Sequence, residues 1–247
     1  HVSAETITMV IGFSAGSSTD IVARTIATVT ENNSNYRIVA ENKPGASGQI
    51  AWRAVEKDPQ MKLVSISGGM SIFDPLTDPE NNILERARYI GPVATSPLVL
   101  AHSPKISISL NDLFSKNYKP LRVNIGIVGP AHQFLADFIK KNSPHDIQTI
   151  LYKGTADAYR DLLGGNIELM IDSYSYFKTV NNTQLILGIA TPKNQYGLES
   201  LSKYAPGAVV SNIWGIGIRS NINDAESQPL ITAINQAFKL EQNQRLF

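Results

Sequence analysis

The sequence predicts an α/β protein of two lobes built on mixed, mostly parallel sheets. Three observations predict it. Apolar runs of strand length alternate with stretches of helical periodicity, the pattern of strands joined by crossover helices. That alternation runs twice, over roughly 1–100 and 120–190. No internal repeat, low-complexity tract or long flexible linker separates the two stretches. Lobes joined by crossing strands, with a ligand cleft between them, are therefore expected. A length of 247 residues suits one large domain or two of about 100–150 residues each.

Taken in order, residues 6–13 (TITMVIGF) read as a buried strand. Ser17 then caps a helix in which Val22, Ile26 and Val29 keep helical spacing. Asp20, three residues after Ser17, makes a capping-box-like pair with it. YRIVAENKPG reads as a strand closed by a Pro-Gly turn, and GASGQIAWRAVEKDP as a short helix stopping before Pro59. MKLVSISGG is a third strand running into a glycine loop, and ARYIGPVATSPLVLAHSP is expected to hold two further strands. LRVNIGIVGPAHQFLADFIKKN gives strand, Gly-Pro loop and helix. IQTILYKGTADAYRDLLGGNIELMID gives strand, helix and strand, with Gly164-Gly165 ending the helix. TQLILGIATP and NIWGIGIRS add two strands, followed by the helix PLITAINQAFKL, apolar at Leu230, Ile231, Ile234 and Phe238. In such sheets ligands gather at the carboxyl ends of strands. Loops 13–20, 68–75, 126–132, 152–156 and 172–176 are then the ones that matter.

Composition narrows the function classes. Lys+Arg 22 against Asp+Glu 21 leaves no basic excess for a nucleic-acid partner. The absence of cysteine excludes disulfides, thiolate metal sites and cysteine nucleophiles. No H-E-x-x-H and no clustered His/Asp set appears, so neither a metal nor another cofactor is expected. No apolar run approaches the ~18–20 residues of a membrane span. The chain opens HVSAETITMV and is read as a mature form whose leader has been removed.

The first loop poses the sharpest question. Gly12-Phe13-Ser14-Ala15-Gly16 fits G-x-S-x-G, the pattern of a nucleophile elbow between strand and helix. An elbow serine also needs a histidine base and oxyanion donors, one of them from an earlier strand. Only thirteen residues precede Ser14, and the helix starts three or four residues after it. His102 and His132 remain as partners only by another topology. The alternative is an anion site: small hydroxyl-bearing residues at a helix start, where unpaired N–H groups and the helix dipole favour a carboxylate.

Four segments in order, VIGFSAGSSTDIVARTIA, RIVAENKPGASGQIAWRAV, LYKGTADAYRDLLGGNIELMID and WGIGIRSNI, resemble the Bug-type solute-binding receptors of tripartite tricarboxylate transporters. The resemblance covers nearly the whole chain. It implies a periplasmic-binding-protein fold of type II, the two-lobed Venus flytrap. One lobe would span 1–101 plus 214–247 and the other 102–213, with the ligand between them. It further implies a periplasmic, non-enzymatic monomer that takes a small organic acid to membrane permease components. Catalytic residues are not expected.

The residues expected at the ligand are Phe13, Ser14, Ala15, Gly16, Ser17, Ser18 and Asp20 in the first loop. Gly69, Met70 and Ser71 follow in the second, and Gly129, His132, Lys153 and Asp172 in lobe two. Phe13 reads either as an apolar wall or as a strand-end core residue. Asp20 reads more readily as a helix cap than as a ligand contact. Asp172 would bind an amino group or water, or brace its loop. The first loop departs from the family pattern at Gly12 and Ser17; Met70 and Asp74 depart in the second. A receptor that feeds a signalling partner, or the effector half of a regulator, fits the same residues.

Overall fold

The computed structural model describes residues 5–58, 61–67, 80, 82–117 and 119–239. Among these, the strands are β1 (Glu5–Ile11), β2 (Tyr36–Asn42), β3 (Met61–Ser67), β4 (Ala87–His102), β5 (Arg122–Ile127), β6 (Asp146–Leu151), β7 (Leu169–Ser173), β8 (Ile186–Ile189) and β9 (Ser211–Arg219). The helices are α1 (Ser18–Asn32), α2 (Gln49–Lys57), α3 (Ile83–Arg86), α4 (Leu110–Phe114), α5 (Pro130–Asn142), α6 (Thr155–Gly164), α7 (Tyr174–Thr179) and α8 (Asp224–Lys239). The chain divides into two compact units, His1–Thr95 with Ile213–Phe247, and Ser96–Asn212.

In the first unit β1 lies parallel between β2 and β3, and β3 carries β9 antiparallel. Side chains alternate across a strand, and β1 shows what that achieves. Met9 and Ile11 pack with Ile26 of α1 and Ile234 of α8, whereas Val10 turns to Trp52 and Val55 of α2. Helices therefore cover both faces of this sheet. Fully burying side chains of this size contributes about 1.5–3 kcal/mol each, and Met9, Val10, Ile11 and Trp52 are completely buried.

In the second unit β5 lies parallel between β6 and β7, while β4 runs antiparallel to β7 and β8. Its core includes Leu98 and Leu100 of β4, Ile125 of β5, Leu135 and Ile139 of α5, and Ile171 of β7. Both units thus carry mixed sheets: the first is mostly parallel, whereas in the second β4 makes two antiparallel pairings beside the two parallel pairings of β5.

Three readings need correction. The stretch expected to hold two strands is one strand of sixteen residues, β4. Prolines inside a run signal a break, but here the backbone stays extended past Pro92 and Pro97. Its second half has its own partners in β7 and β8. The last helix starts at Asp224, five residues before Pro229. Asn223 caps it, its Oδ1 accepting the Glu226 N–H at 2.9 Å, and Asp224 and Glu226 suit the positive end of the dipole. Finally, β1 stops at Ile11, so Gly12 and Phe13 belong to the loop.

Candidate functional site

Two strand-to-helix ends hold most of the expected residues, one in each unit. In the first unit the chain leaves β1 through Gly12, where a Cβ would lie 2.5 Å from the Gly48 Cα. Only glycine allows that approach. The neighbouring turn is itself unusual: Gly45, Ala46, Ser47 and Gly48 have φ of 131°, 47°, 52° and 100°. Left-handed backbone costs an L-residue roughly 1–2 kcal/mol, so Ala46 and Ser47 are held there by the surroundings. The Gly48 N–H donates to the Gly45 carbonyl at 3.0 Å.

From Gly12 the loop runs to Gly16, in the left-handed region at φ 76°, and into α1. Ser17 caps the helix, its Oγ accepting the Asp20 N–H at 3.2 Å. The reciprocal half of the expected capping box is displaced by one residue. The Asp20 carboxylate accepts the Gly16 N–H at 2.9 Å, while the Ser17 N–H donates to the Ser14 carbonyl at 3.1 Å. Asp20 also accepts from Arg24 Nε at 2.9 Å and from Asn42 Nδ2 at 2.8 Å. The same Asn42 amide donates to the Phe13 carbonyl at 2.9 Å. Asp20 and Asn42 thus clamp the loop at both ends, and Arg24 offsets the Asp20 charge. What remains for a ligand is the outer edge. Ala15 and Gly16 are exposed and Ser14 is half-buried. The N–H groups of Ser14 and Ala15 take no partner among the described residues.

In the second unit β5, β6 and β7 end side by side and pass into α5, α6 and α7. Asp172, near the end of β7, is wholly buried. Thr155 Oγ1 donates to its Oδ2 at 2.7 Å. The Ser173 N–H and Oγ donate to its Oδ1 at 2.6 and 3.1 Å. Thr155 is the first residue of α6, so the positive end of that helix also favours the buried carboxylate. His132, in the first turn of α5, is 5% exposed. Its Nε2 lies 3.9 Å from Asp172 Oδ2, too far for a hydrogen bond. Burial pushes the imidazole pKa down, outweighing the pull of Asp172 and of the Gly129 backbone. The ring is therefore neutral near pH 7. Burial and the Asp172 charge push the Tyr176 phenol up.

Ser14, Ala15, Gly16, Ser17, Ser18 and Asp20 therefore gather at the start of α1. Gly129, His132 and Asp172 gather at the strand ends of the second unit. Phe13 is buried, at 7% exposure, and belongs to the core set. Lys153 is exposed and has no ion-pair partner among the described residues. Gly69, Met70 and Ser71, with Asp74, lie outside the described residues. The sequence reading missed Asn42, Arg24, Thr155 and Ser173. Thr155 had a signal, a hydroxyl residue opening a helix just after a strand, but its partner Asp172 is seventeen residues on. His102 and His145 are engaged by backbone of their own unit, at Ser103 and at Leu121 and Asp112. Among the described residues no group of three metal-ligating side chains occurs, and no helix is long and apolar enough to cross a membrane.

No family model matches the chain. Protein BugT of Bordetella pertussis is 30% identical over 182 residues, covering 69% of this chain and 55% of that protein. The chain spans about half the length of the curated relatives it matches. Among solved structures, R. palustris Rpa4515 with adipate superposes with a TM-score of 0.82 at 22% identity, covering 98% of this chain and 86% of that one. MatC (Rpa3494) from Rhodopseudomonas palustris with bound malate gives 0.75 at 19% identity, covering 95% and 83%. At these identities the superpositions speak for the fold, which is the α/β fold of periplasmic binding proteins.

Proposed function

We infer the function from one premise: the chain belongs to the Bug-type receptor family of the tripartite tricarboxylate transporters. On that premise it is an extracytoplasmic solute-binding protein. It captures a small carboxylate-type organic acid in the periplasm and presents it to membrane permease components. The observation that carries this reading is the start of α1. There the positive end of a fifteen-residue helix meets an exposed Ser14–Gly16 edge whose N–H groups at Ser14 and Ala15 are unclaimed by the described residues. A helix terminus of this kind favours an anion. The adipate and malate in the two solved proteins above support an acid as the ligand class.

No catalysis is proposed. Ser14 would need an imidazole within hydrogen-bond reach, yet His102 and His145 are engaged by backbone of their own unit and Ser14 has no histidine partner among the described residues. Asp172 is assigned a bracing role, because its oxygens already accept three hydrogen bonds and it has no exposed surface. An acid here is held by backbone N–H groups, hydroxyls and bridging water rather than by a guanidinium fork.

A thermal-shift screen against small mono-, di- and tricarboxylates tests the reading. A ligand that binds only the native state raises the melting temperature by mass action, about 2.7 kcal/mol of stabilisation at a hundredfold excess over Kd. A selective rise with one acid class is the expected result. A chain that shifts with amines or sugars and with no acid would overturn it.

A further inference from the structure

We propose that Tyr174 and Tyr196 form a rigid aromatic wall that makes this receptor select acids with a planar, aromatic body over flexible aliphatic dicarboxylates. The inference rests on the solute-receptor reading and names the substrate class within it. Tyr174 opens α7, two residues after Asp172, at the same strand ends that hold Gly129, His132 and Thr155. It is half-buried. Its ring lies against that of Tyr196, with centroids 4.3 Å apart and planes 10° from parallel.

Tyr196 reaches this place by an unfavourable route. It sits at the tip of a two-residue turn closed by Gln195 and Leu198, with reciprocal backbone hydrogen bonds of 3.1 and 2.8 Å. The turn residues Tyr196 and Gly197 have φ of 53° and 76°. Two positive φ values define the mirror-image hairpin turn, whose first position strongly favours Asn, Asp or Gly. A bulky side chain there is a backbone outlier. Strain of this kind persists where surrounding structure holds it, and it gathers at ligand-binding elements. Here the turn is closed by its two backbone hydrogen bonds, and the Tyr196 ring is stacked on Tyr174.

The stacked pair is not buried. Tyr196 is 56% exposed, among the most exposed large apolar side chains of the described residues. A core would have buried it, and an ordinary surface turn would have used Asn. A stacked pair whose Tyr196 ring is this exposed is suited to a third flat ring, because aromatic groups prefer offset-stacked or edge contact. An aliphatic chain gains no comparable contact from such a surface.

Calorimetric titration of the native chain, Tyr196→Asn and Tyr174→Leu with benzoate and with adipate tests this. Asn suits the left-handed position, so Tyr196→Asn keeps the turn, and its melting temperature should equal or exceed the native value. The native chain is expected to bind benzoate more tightly than adipate. Each variant should weaken benzoate roughly fivefold while leaving adipate within about twofold. A native chain that prefers adipate, or a Tyr196→Asn chain that keeps the native benzoate-to-adipate ratio, overturns the aromatic wall and leaves the receptor reading standing. A native chain that binds neither acid also overturns the aromatic wall, and the receptor reading is then decided by the wider acid screen.

Discussion

The carboxylate of Asp20 folds back onto the N–H of Gly16, four residues earlier, at 2.9 Å. That contact turns a loop of small residues into a fixed approach to α1. It also takes one donor that a bound acid would otherwise use. Asp20 is 4% exposed, and its oxygens serve Gly16, Arg24 and Asn42 at once. Asp20→Ala leaves those donors without their acceptor, and an orphaned buried donor costs about 1–3 kcal/mol. Urea denaturation should show a loss in that range, with a weaker Kd for the acid. Asp20→Asn keeps one acceptor oxygen and should lose less.

The ion pair within this network should matter little. The Arg24 side chain is 47% exposed, and exposed pairs contribute about 0–1 kcal/mol. Arg24→Gln is therefore expected to shift stability by less than about 1 kcal/mol, measured in the same denaturation series. A loss as large as that of Asp20→Ala would mean that charge, and not backbone anchoring, holds the loop.

Thr155 should be the most sensitive hydroxyl of the second unit. It is almost wholly buried and donates to the fully buried Asp172. Thr155→Val keeps the shape and removes the donor, leaving a buried carboxylate short of one hydrogen bond. Bonds to charged groups contribute about 1.5–3 kcal/mol, and the midpoint of denaturation should fall accordingly. Thr155→Ser restores the donor and should recover most of the loss. Equal losses in both variants would point to packing of the Thr methyl group instead.

His132 gives stability a pH dependence of definite sign. Its pKa in the folded chain lies below the ordinary 6.5, with burial as the main cause. The unfolded chain therefore binds the proton more readily. Stability from this group is fully present above about pH 6.5 and is lost as pH falls toward the folded pKa, by at most about 1.4 kcal/mol per pH unit. Asp172, facing it at 3.9 Å, reduces the drop without reversing it. Urea midpoints between pH 7.5 and 5.5 should decline in the native chain and flatten in His132→Gln. Stability that rises on acidification would show an imidazolium paired with Asp172.

These sites were unequally legible in the sequence. Strand–helix alternation and the apolar spacing of Val22, Ile26 and Val29 follow from periodicities set by burial, so α1 and the strand ends could be placed. Ser17 as a cap was legible because N-cap chemistry is local. The partner of the Asp20 carboxylate was not. Gly16, Arg24 and Asn42 share it at once, and Asn42 arrives from β2, twenty-two residues on. The continuity of β4 was hidden for a related reason. Two prolines carry a local break signal, whereas the pairing with β7 and β8 is a long-range property. The Tyr174–Tyr196 stack had no signal at all, since the two rings are twenty-two residues apart and one sits at a turn position that tyrosine rarely takes.

Gly12 is the position where a single methyl group should do the most to the first loop. Its φ is not in the left-handed region, so alanine meets no backbone penalty there. The obstacle is purely steric. The new Cβ would come 2.5 Å from the Gly48 Cα, a backbone atom that no rotamer change can move. Relief requires β1 and the 45–48 turn to separate, and that turn already holds Ala46 and Ser47 in the left-handed region. Overpacking costs about 1–3 kcal/mol, so Gly12→Ala should lower the melting temperature by an amount equivalent to that. The loop that presents Ser14 and Ala15 should shift with it, and affinity for the acid should fall together with stability. A Gly12→Ala chain with native melting temperature and native affinity would mean that the two segments are free to part, and that the tight Gly12–Gly48 approach does not position the loop.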